Sequence, residues 1–336
     1  MNNLKTNYMG IELDSPVILG ASNMATNLDT LKRAEEQGAA AIVFKSLFEE
    51  QIQLERLQLD EKLTEFNDIY AEMITTHPAI EYAGFDEHLL NIRKAKEGLS
   101  IPVIASLNAV NEDTWIEYAK LICETGVDGI ELNFYQTPSD FNKESKDIEN
   151  EQINIAKKIK QNISIPVSIK LSSDYSNILN FIKRLDLVGI DALVLFNSFF
   201  QPDIDIIKEK HTKSFNYSNK GDYKKSLRYS GLLFDNIKAD ICGSHGIFTG
   251  ADVIKLILSG SSCVQVVSTV YKNGLSQIDT IKKELKDWME IKNYKSIDEF
   301  KGKLSSNRLS ADSLVYKRAQ YVDLLLYSEN IFENSK

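Results

Sequence analysis

Six polar side chains stand at or just after the ends of short apolar runs: Ser22, Lys45, Asn133, Lys170, Asn197 and Ser198. Runs of this length, bounded by turn residues, read as buried parallel strands, which place each polar group at a strand's C-terminal end. Taken singly, a lysine there marks where the chain meets water, and an asparagine is a turn residue. Two lysines and two asparagines ending four different strands are another matter. Burying such groups is costly without partners, and a polar, anionic small molecule supplies them.

Gly243-Ser244-His245-Gly246 and Ser268-Thr269 follow the last two runs. Turns after late barrel strands bind phosphate through backbone N–H groups and a helix N-terminus. His245 reads otherwise as a turn residue with positive φ. No spacing of His, Cys, Asp or Glu implies a metal, and there is neither a P-loop nor a Gly-x-Ser-x-Gly turn.

The elements that must position these residues alternate along the chain. Strands are expected at Pro16–Gly20, Ala41–Phe44, Pro102–Ser106, Gly129–Asn133, Pro166–Lys170, Ala192–Phe196, Asp240–Cys242 and Cys263–Val267. Helical spacing separates most of them, as at Asn27–Gln37, Asp113–Thr125, Glu144–Gln161, Asn177–Leu187 and from Thr249 to Gly260. Strands alternating with helices close into an α/β (β/α)8 TIM barrel, with a doubly wound open sheet as the alternative. Two connections break the rhythm. One runs from Leu47 to about Lys96, after strand 2, and reads as a lid or binding insert. The other, Phe199 to Tyr229, follows strand 6, is rich in Lys and Ser, and is expected to fold over the mouth. Residues 1–305 are expected to form the barrel. Residues 306–336 belong to a C-terminal helical extension, part of a tail from Trp288 expected to pack outside it.

The chain has 336 residues, 43% hydrophobic and 26% charged, which suits a globular α/β protein. A net charge of -9 argues against nucleic acid and against a basic membrane-surface helix. Residues 1–14 carry no charged-then-apolar signal pattern, and no apolar run nears the roughly 18 residues of a spanning helix. A soluble cytoplasmic protein without membrane or nucleic-acid partners is therefore expected. Cys123, Cys242 and Cys263 read as reduced thiols, since an odd number without close pairing builds no disulfide frame.

At these residues the sequence resembles the dihydroorotate dehydrogenases of the soluble, FMN-containing type, and most of all the dihydroorotate dehydrogenase-like proteins. The matching elements include Ser15-Pro16-Val17, Ala21-Ser22, Lys45-Ser46, Glu131-Leu132-Asn133, Ile169-Lys170-Leu171, Asn197-Ser198, Gly246 to Asp252 and Val264-Gln265-Val266. They run in order from about residue 4 to 305.

The resemblance implies one FMN at the barrel mouth. Ala21, Ser22, Lys45, Ser46, Asn133, Lys170 and Ser198 would hold its ring and ribityl chain. Gly246, Ser268 and Thr269 would cradle its phosphate, with Gly243 and His245 in the same turn. Lys170 would stabilise negative charge on the reduced ring. Lys45, Asn133 and Asn197 would meet a small anionic substrate at a CH–CH bond, in pyrimidine biosynthesis if that substrate is dihydroorotate. A homodimer is implied as well.

There are departures. The family's base is a Cys three residues after the Asn of the Glu-Leu-Asn motif, where this chain has Gln136, and an amide accepts no proton near neutral pH. Tyr135, Thr137 and Ser139 are the nearby hydroxyls. The orotate-gripping loop has no counterpart in about His77 to Phe85. The Gly-Gly turn has become His245-Gly246, and with the sixth connection's Gly-rich turn missing, Arg228 is a candidate phosphate ligand. These losses keep two alternatives open. One is a catalytically degenerate barrel with a flavin-binding or interaction role. The other is a non-flavin phosphate-binding barrel enzyme using Lys45 or Lys170 as a Schiff-base nucleophile.

Overall fold

Apolar residues on both faces of eight short strands leave no face for water, and a closed ring wrapped in helices buries them all. The computed structural model describes residues 3–54, 83–136, 140–198, 201–212, 217–310 and 315–334. Thr137, Ser139 and nearly all of the stretch from His77 to Phe85 lie outside the described residues.

The ring strands are β3 (Val17–Leu19), β4 (Ile42–Phe48), β5 (Val103–Asn108), β6 (Gly129–Phe134), β7 (Val167–Leu171), β8 (Ala192–Leu195), β11 (Asp240–Ser244) and β12 (Cys263–Val266). They form a closed barrel in which β11 pairs with β8 and β12 returns to β3, every pairing parallel. An open sheet is thereby ruled out.

The helices stand where their caps put them. Asn27 caps α1 (Leu28–Glu36) by accepting from the Asp29 and Thr30 backbone N–H groups, and Leu31 and Ala34 lie buried three apart on its inner stripe. Around the ring follow α2 (Ala83–Gly98), α3 (Glu112–Cys123), α4 (Ser145–Asn162), α5 (Ile178–Val188), α6 (Lys224–Leu233) and α7 (Gly250–Ser259). Thr249 and Asp252 form a reciprocal capping box on α7. Then come α8 (Ser268–Asn273) and α9 (Gln277–Ile291).

At the N-terminal face, the Gly-x-Asp sequences Gly126-Val127-Asp128 and Gly189-Ile190-Asp191 recur. Asp128 accepts from Lys96 Nζ at 2.7 Å and from Val103 N–H at 2.8 Å. Asp191 repeats this with Lys160 and Val167, both at 2.7 Å. Each aspartate thus ties a helix to the start of the next strand.

Beneath them a hairpin of β1 (Thr6–Tyr8) and β2 (Ile11–Leu13) closes the floor. Tyr8, Met9 and Leu13 pack there with Ile18, Val43, Ile104, Val194, Cys242 and Cys263. The polar reading of residues 1–14 hid this plug, whose signal is the alternation Thr6-Asn7-Tyr8 and Ile11-Glu12-Leu13 about Met9-Gly10, both at positive φ. All three cysteines are free, with Cys242 and Cys263 buried and Cys123 half-buried.

Three stretches differ from expectation. The strand-6 connection carries a second hairpin, β9 (Asp203–Asp205) with β10 (Lys210–Thr212), and its end already belongs to α6. Trp288, the expected start of the tail, lies inside α9, and a 3-10 turn, Ile297–Glu299, follows beside an aromatic cluster of Trp288, Tyr294 and Phe300. Finally α10 (Ala319–Asn334) is a helix, but Tyr321, Val322 and Leu324 to Tyr327 are exposed instead of packed on the barrel. Apolar residues at successive positions cannot make one buried stripe.

Candidate active site

Side chains of a barrel strand alternate between the interior and the helical layer. On β6, Glu131 and Asn133 share the inward face, while Ile130, Leu132 and Phe134 join the outer core. The pairing of β6 with β7 sets Glu131 beside Ser168 and Asn133 beside Lys170. Lys45 on β4, Gln265 on β12 and Ser244 on β11 also open to the mouth, and together these side chains line a cavity of about 450 Å³.

That cavity gathers nearly all the expected site residues. Lys45, Asn133, Lys170 and Asn197 line it together, as do Ala21, Ser22, Ser46 and Ser198. From the last two strand ends come His245, Gly246 and Ser268. Gly243 and Thr269, expected at the phosphate, do not line it. Gly243 points outward, where a Cβ would come within 2.9 Å of Leu256 on α7. Thr269 is buried and accepts from Asn273 Nδ2 at 3.2 Å. Gln136 is turned to α4, its Oε1 accepting from Gln152 Nε2 at 3.3 Å. Arg228 also lies elsewhere, donating from α6 to Gln320 of α10 at 3.5 Å.

The sequence reading missed several lining groups: Phe48, Phe196, Gln265, Tyr271 and Ser218. For Gln265 a signal existed, an amide inside the run Cys263–Val266. Ser218 comes from the long strand-6 connection, so that much of it does reach the mouth.

The floor is a buried polar triad. Lys170 Nζ donates to Gln265 Oε1 at 2.9 Å and lies 3.7 Å from Glu131 Oε1. Gln265 Nε2 in turn donates to Glu131 Oε2. One wall carries a carboxamide pair, Asn197 Nδ2 donating to Asn133 Oδ1 at 2.8 Å. On another, Ser46 and Ser106 hydroxyls meet at 2.6 Å. The Ser22 hydroxyl is buried with no hydrogen-bond partner in the described structure, an orphan of the kind a bound ligand satisfies.

At the strand-7 and strand-8 ends, Ser218 closes the cradle. Gly246 N–H donates to Ser218 Oγ at 3.1 Å, Ser218 N–H donates to Ser268 Oγ at 3.1 Å, and Lys272 Nζ donates to the Ser218 carbonyl at 2.9 Å. His245 sits at φ 73, with Nε2 3.4 Å from Asp222 Oδ2. Burial lowers its pKa and outweighs the pull of Asp222, while Lys225 and Lys170 push the same way as burial. A second chamber of about 300 Å³, reached past Phe196, Asn197 and His245, is lined by Asp174, Asp222 and Lys225.

Behind the Lys45 strand, His88 on α2 packs edge-on to Phe44, ring centroids 5.4 Å apart. Burial, and then the Lys45 charge, lower its pKa to about 4. Glu49 holds the turn that leads into α3, accepting from the Val110 and Asn111 N–H groups at 2.7 and 3.0 Å. Its own burial works against ionisation, but these bonds and those from the Asn111 and Thr114 side chains prevail and lower its pKa.

A closed ring of parallel strands whose polar cavity opens at their C-terminal ends is the architecture of a (β/α)8-barrel enzyme. A family model described as dihydroorotate dehydrogenase matches residues 3–289, and the chain belongs to that family, a family of oxidoreductases. It is 27% identical over 300 residues to the catalytic subunit of dihydroorotate dehydrogenase B (NAD+) of Methanocaldococcus jannaschii, covering 86% of this chain and 94% of the relative. The corresponding subunit of Thermoplasma volcanium is 28% identical over 315 residues, covering 90% and 98%. The chloroplastic dihydropyrimidine dehydrogenase (NADP+) of Arabidopsis thaliana is 23% identical over 330 residues, covering 89% and 76%. No helix among the described residues is long and apolar enough to cross a membrane.

Proposed function

We propose that this chain is an FMN-dependent oxidoreductase of the dihydroorotate dehydrogenase type, acting on a CH–CH bond of dihydroorotate or a related small carboxylate. One observation carries the reading: Lys45, Asn133, Lys170 and Asn197 converge on a single cavity in which the Ser22 hydroxyl is buried without a partner among the described residues. The volume lies within the roughly 300–1,000 Å³ of small-molecule pockets. Hydrogen-bond donors facing an apolar wall suit a flat ring with carbonyl edges, so the residues present fit the cofactor. Ser22, Ser46, Lys170 and Ser198 are the residues assigned to that ring and its chain, and Gly246 and Ser268 those assigned to the phosphate. A phosphate there would compete with the Ser218 hydroxyl for the Gly246 N–H.

When bound, FMN supplies the acceptor for a hydride from the substrate carbon. The chain's own groups do the positioning. Lys45 forms no ion pair among the described residues, so its charge is free to hold a substrate carboxylate. The Asn133–Asn197 pair fixes two amides against rotation, and Phe48, Phe196 and Tyr271 supply the cavity's aromatic walls. Gln136 is engaged by Gln152 and its amide accepts no proton, so turnover needs a base elsewhere, and the Tyr135 hydroxyl lines the cavity on the same segment. The position of Gln136 also favours a second reading, a barrel that binds flavin without turnover. We take the protein as cytoplasmic and, by resemblance, as a homodimer, with residues 1–305 as the barrel and 306–336 as an extension. The relatives' designation as catalytic subunits supports a further partner chain.

The test is the absorption spectrum of the purified protein, with FMN added if it is colourless, followed by anaerobic dihydroorotate. Flavin bands that bleach support the proposal. Flavin bands that no reduced carboxylate bleaches leave the second reading, and a protein that takes up no flavin sinks both.

A further inference from the structure

Behind the cavity floor lies a carboxylate that no step above uses. Glu131 is 1% exposed, yet its Oε1 has no hydrogen-bond partner in the described structure. A buried carboxylate in that condition is expensive unless a cation offsets it. The nearest cation is Lys170, itself 8% exposed, and the amide of Gln265 is spent at both ends on joining the two. All three come from inward positions of β6, β7 and β12, strands that are not all neighbours in the ring.

We propose that Glu131 and Gln265 are positioning residues for Lys170, the carboxylate facing the buried amine from behind and the carboxamide fixing where it points. The floor then presents a directed donor whose charge is already balanced from behind. Such a donor suits a ligand edge on which charge develops during reaction better than one carrying a permanent charge. The inference relies on the proposed function only in taking this cavity as the ligand site.

Formaldehyde and cyanoborohydride methylate an amine whose lone pair is accessible, so site-resolved mass spectrometry at one fixed pH reports how firmly each lysine is held by its partners. Lys45, in the same cavity, is the internal standard. Wild-type Lys170, bonded to Gln265 and beside Glu131, should react more slowly than Lys45. In Glu131→Gln its rate should rise about tenfold at the same pH, with Lys45 unchanged. An unchanged rate for Lys170 would overturn the proposal.

If Glu131→Gln does not fold, thermal melts of Lys170→Met and of the double variant decide. A double variant melting above Lys170→Met confirms that the two charges answer each other, and one melting lower refutes it. For Gln265→Leu, added FMN followed by fluorescence quenching should bind about tenfold more weakly, and equal affinity would remove Gln265 from the proposal. The labelling needs no flavin, so a wild type that binds none would refute the functional reading alone.

Discussion

Asn197 Nδ2 donates to Asn133 Oδ1 at 2.8 Å, across the end of β7 and between residues 64 apart in sequence. Each amide thereby sets the other's rotamer, leaving Asn197 one N–H and its carbonyl and leaving Asn133 both N–H groups for further partners.

Replacing Asn197 tests that pairing. Asn197→Ala should lower kcat/KM about 100-fold on whichever reduced carboxylate bleaches the protein, a typical cost of losing one preorganised donor. Asn197→Asp should do at least as much harm, since it sets a carboxylate oxygen against the Asn133 carbonyl oxygen. Flavin affinity should hold in both. Wild-type turnover in the aspartate variant would show that the pair positions nothing.

Ser22 makes the opposite kind of prediction, because its hydroxyl is buried without a partner in the described structure. Removing an unsatisfied buried hydroxyl relieves a cost of about 1 kcal/mol. Ser22→Ala should therefore melt at or above the wild-type temperature without ligand. Its flavin affinity should fall about fivefold, the equivalent of one lost hydrogen bond. A variant that binds flavin as tightly as wild type would argue that the hydroxyl faces no ligand.

His88 gives the fold a pH dependence of known sign. Its folded pKa, about 4, lies below its ordinary 6.5, so between these values the unfolded chain binds more protons. Stability from this group is present above pH 6.5 and is lost as pH falls towards 4. The shift corresponds to about 3 kcal/mol over that window. Urea unfolding of wild type and His88→Leu at pH 7 and at about pH 5 measures it. The variant should lose less stability on acidification, and equal losses would mean that His88 is not buried as described.

How far the sequence reached can be seen strand by strand. Pro16–Gly20, Gly129–Asn133 and Pro166–Lys170 were legible as strands because a short apolar run between turn residues is a local signal. The boundaries moved by a residue or two, and Lys45 and Ser46 proved to lie inside β4, where the pairing shifts between Phe44 and Leu47. Helix ends were legible for the same reason, Asn27 and Thr249 being side chains that cap within their own turn. Residues closing apolar runs could thus be named as candidates, and their convergence follows once the eight strands are taken as a ring.

Contacts between strands were not legible. Glu131 and Gln265 are 134 residues apart, and only closure of the ring with its particular stagger brings them together behind Lys170. The same holds for Ser218 over the Gly246 turn, for the hairpin under the floor, and for Gln136 facing Gln152 instead of the cavity. Strand sidedness repeats every two residues and can be read from neighbours in the chain, so the sequence alone determined the staves and the polar groups at their ends. Which of those groups pair, which stay unpaired and which turn away is decided between distant segments, and that choice belonged to the tertiary structure.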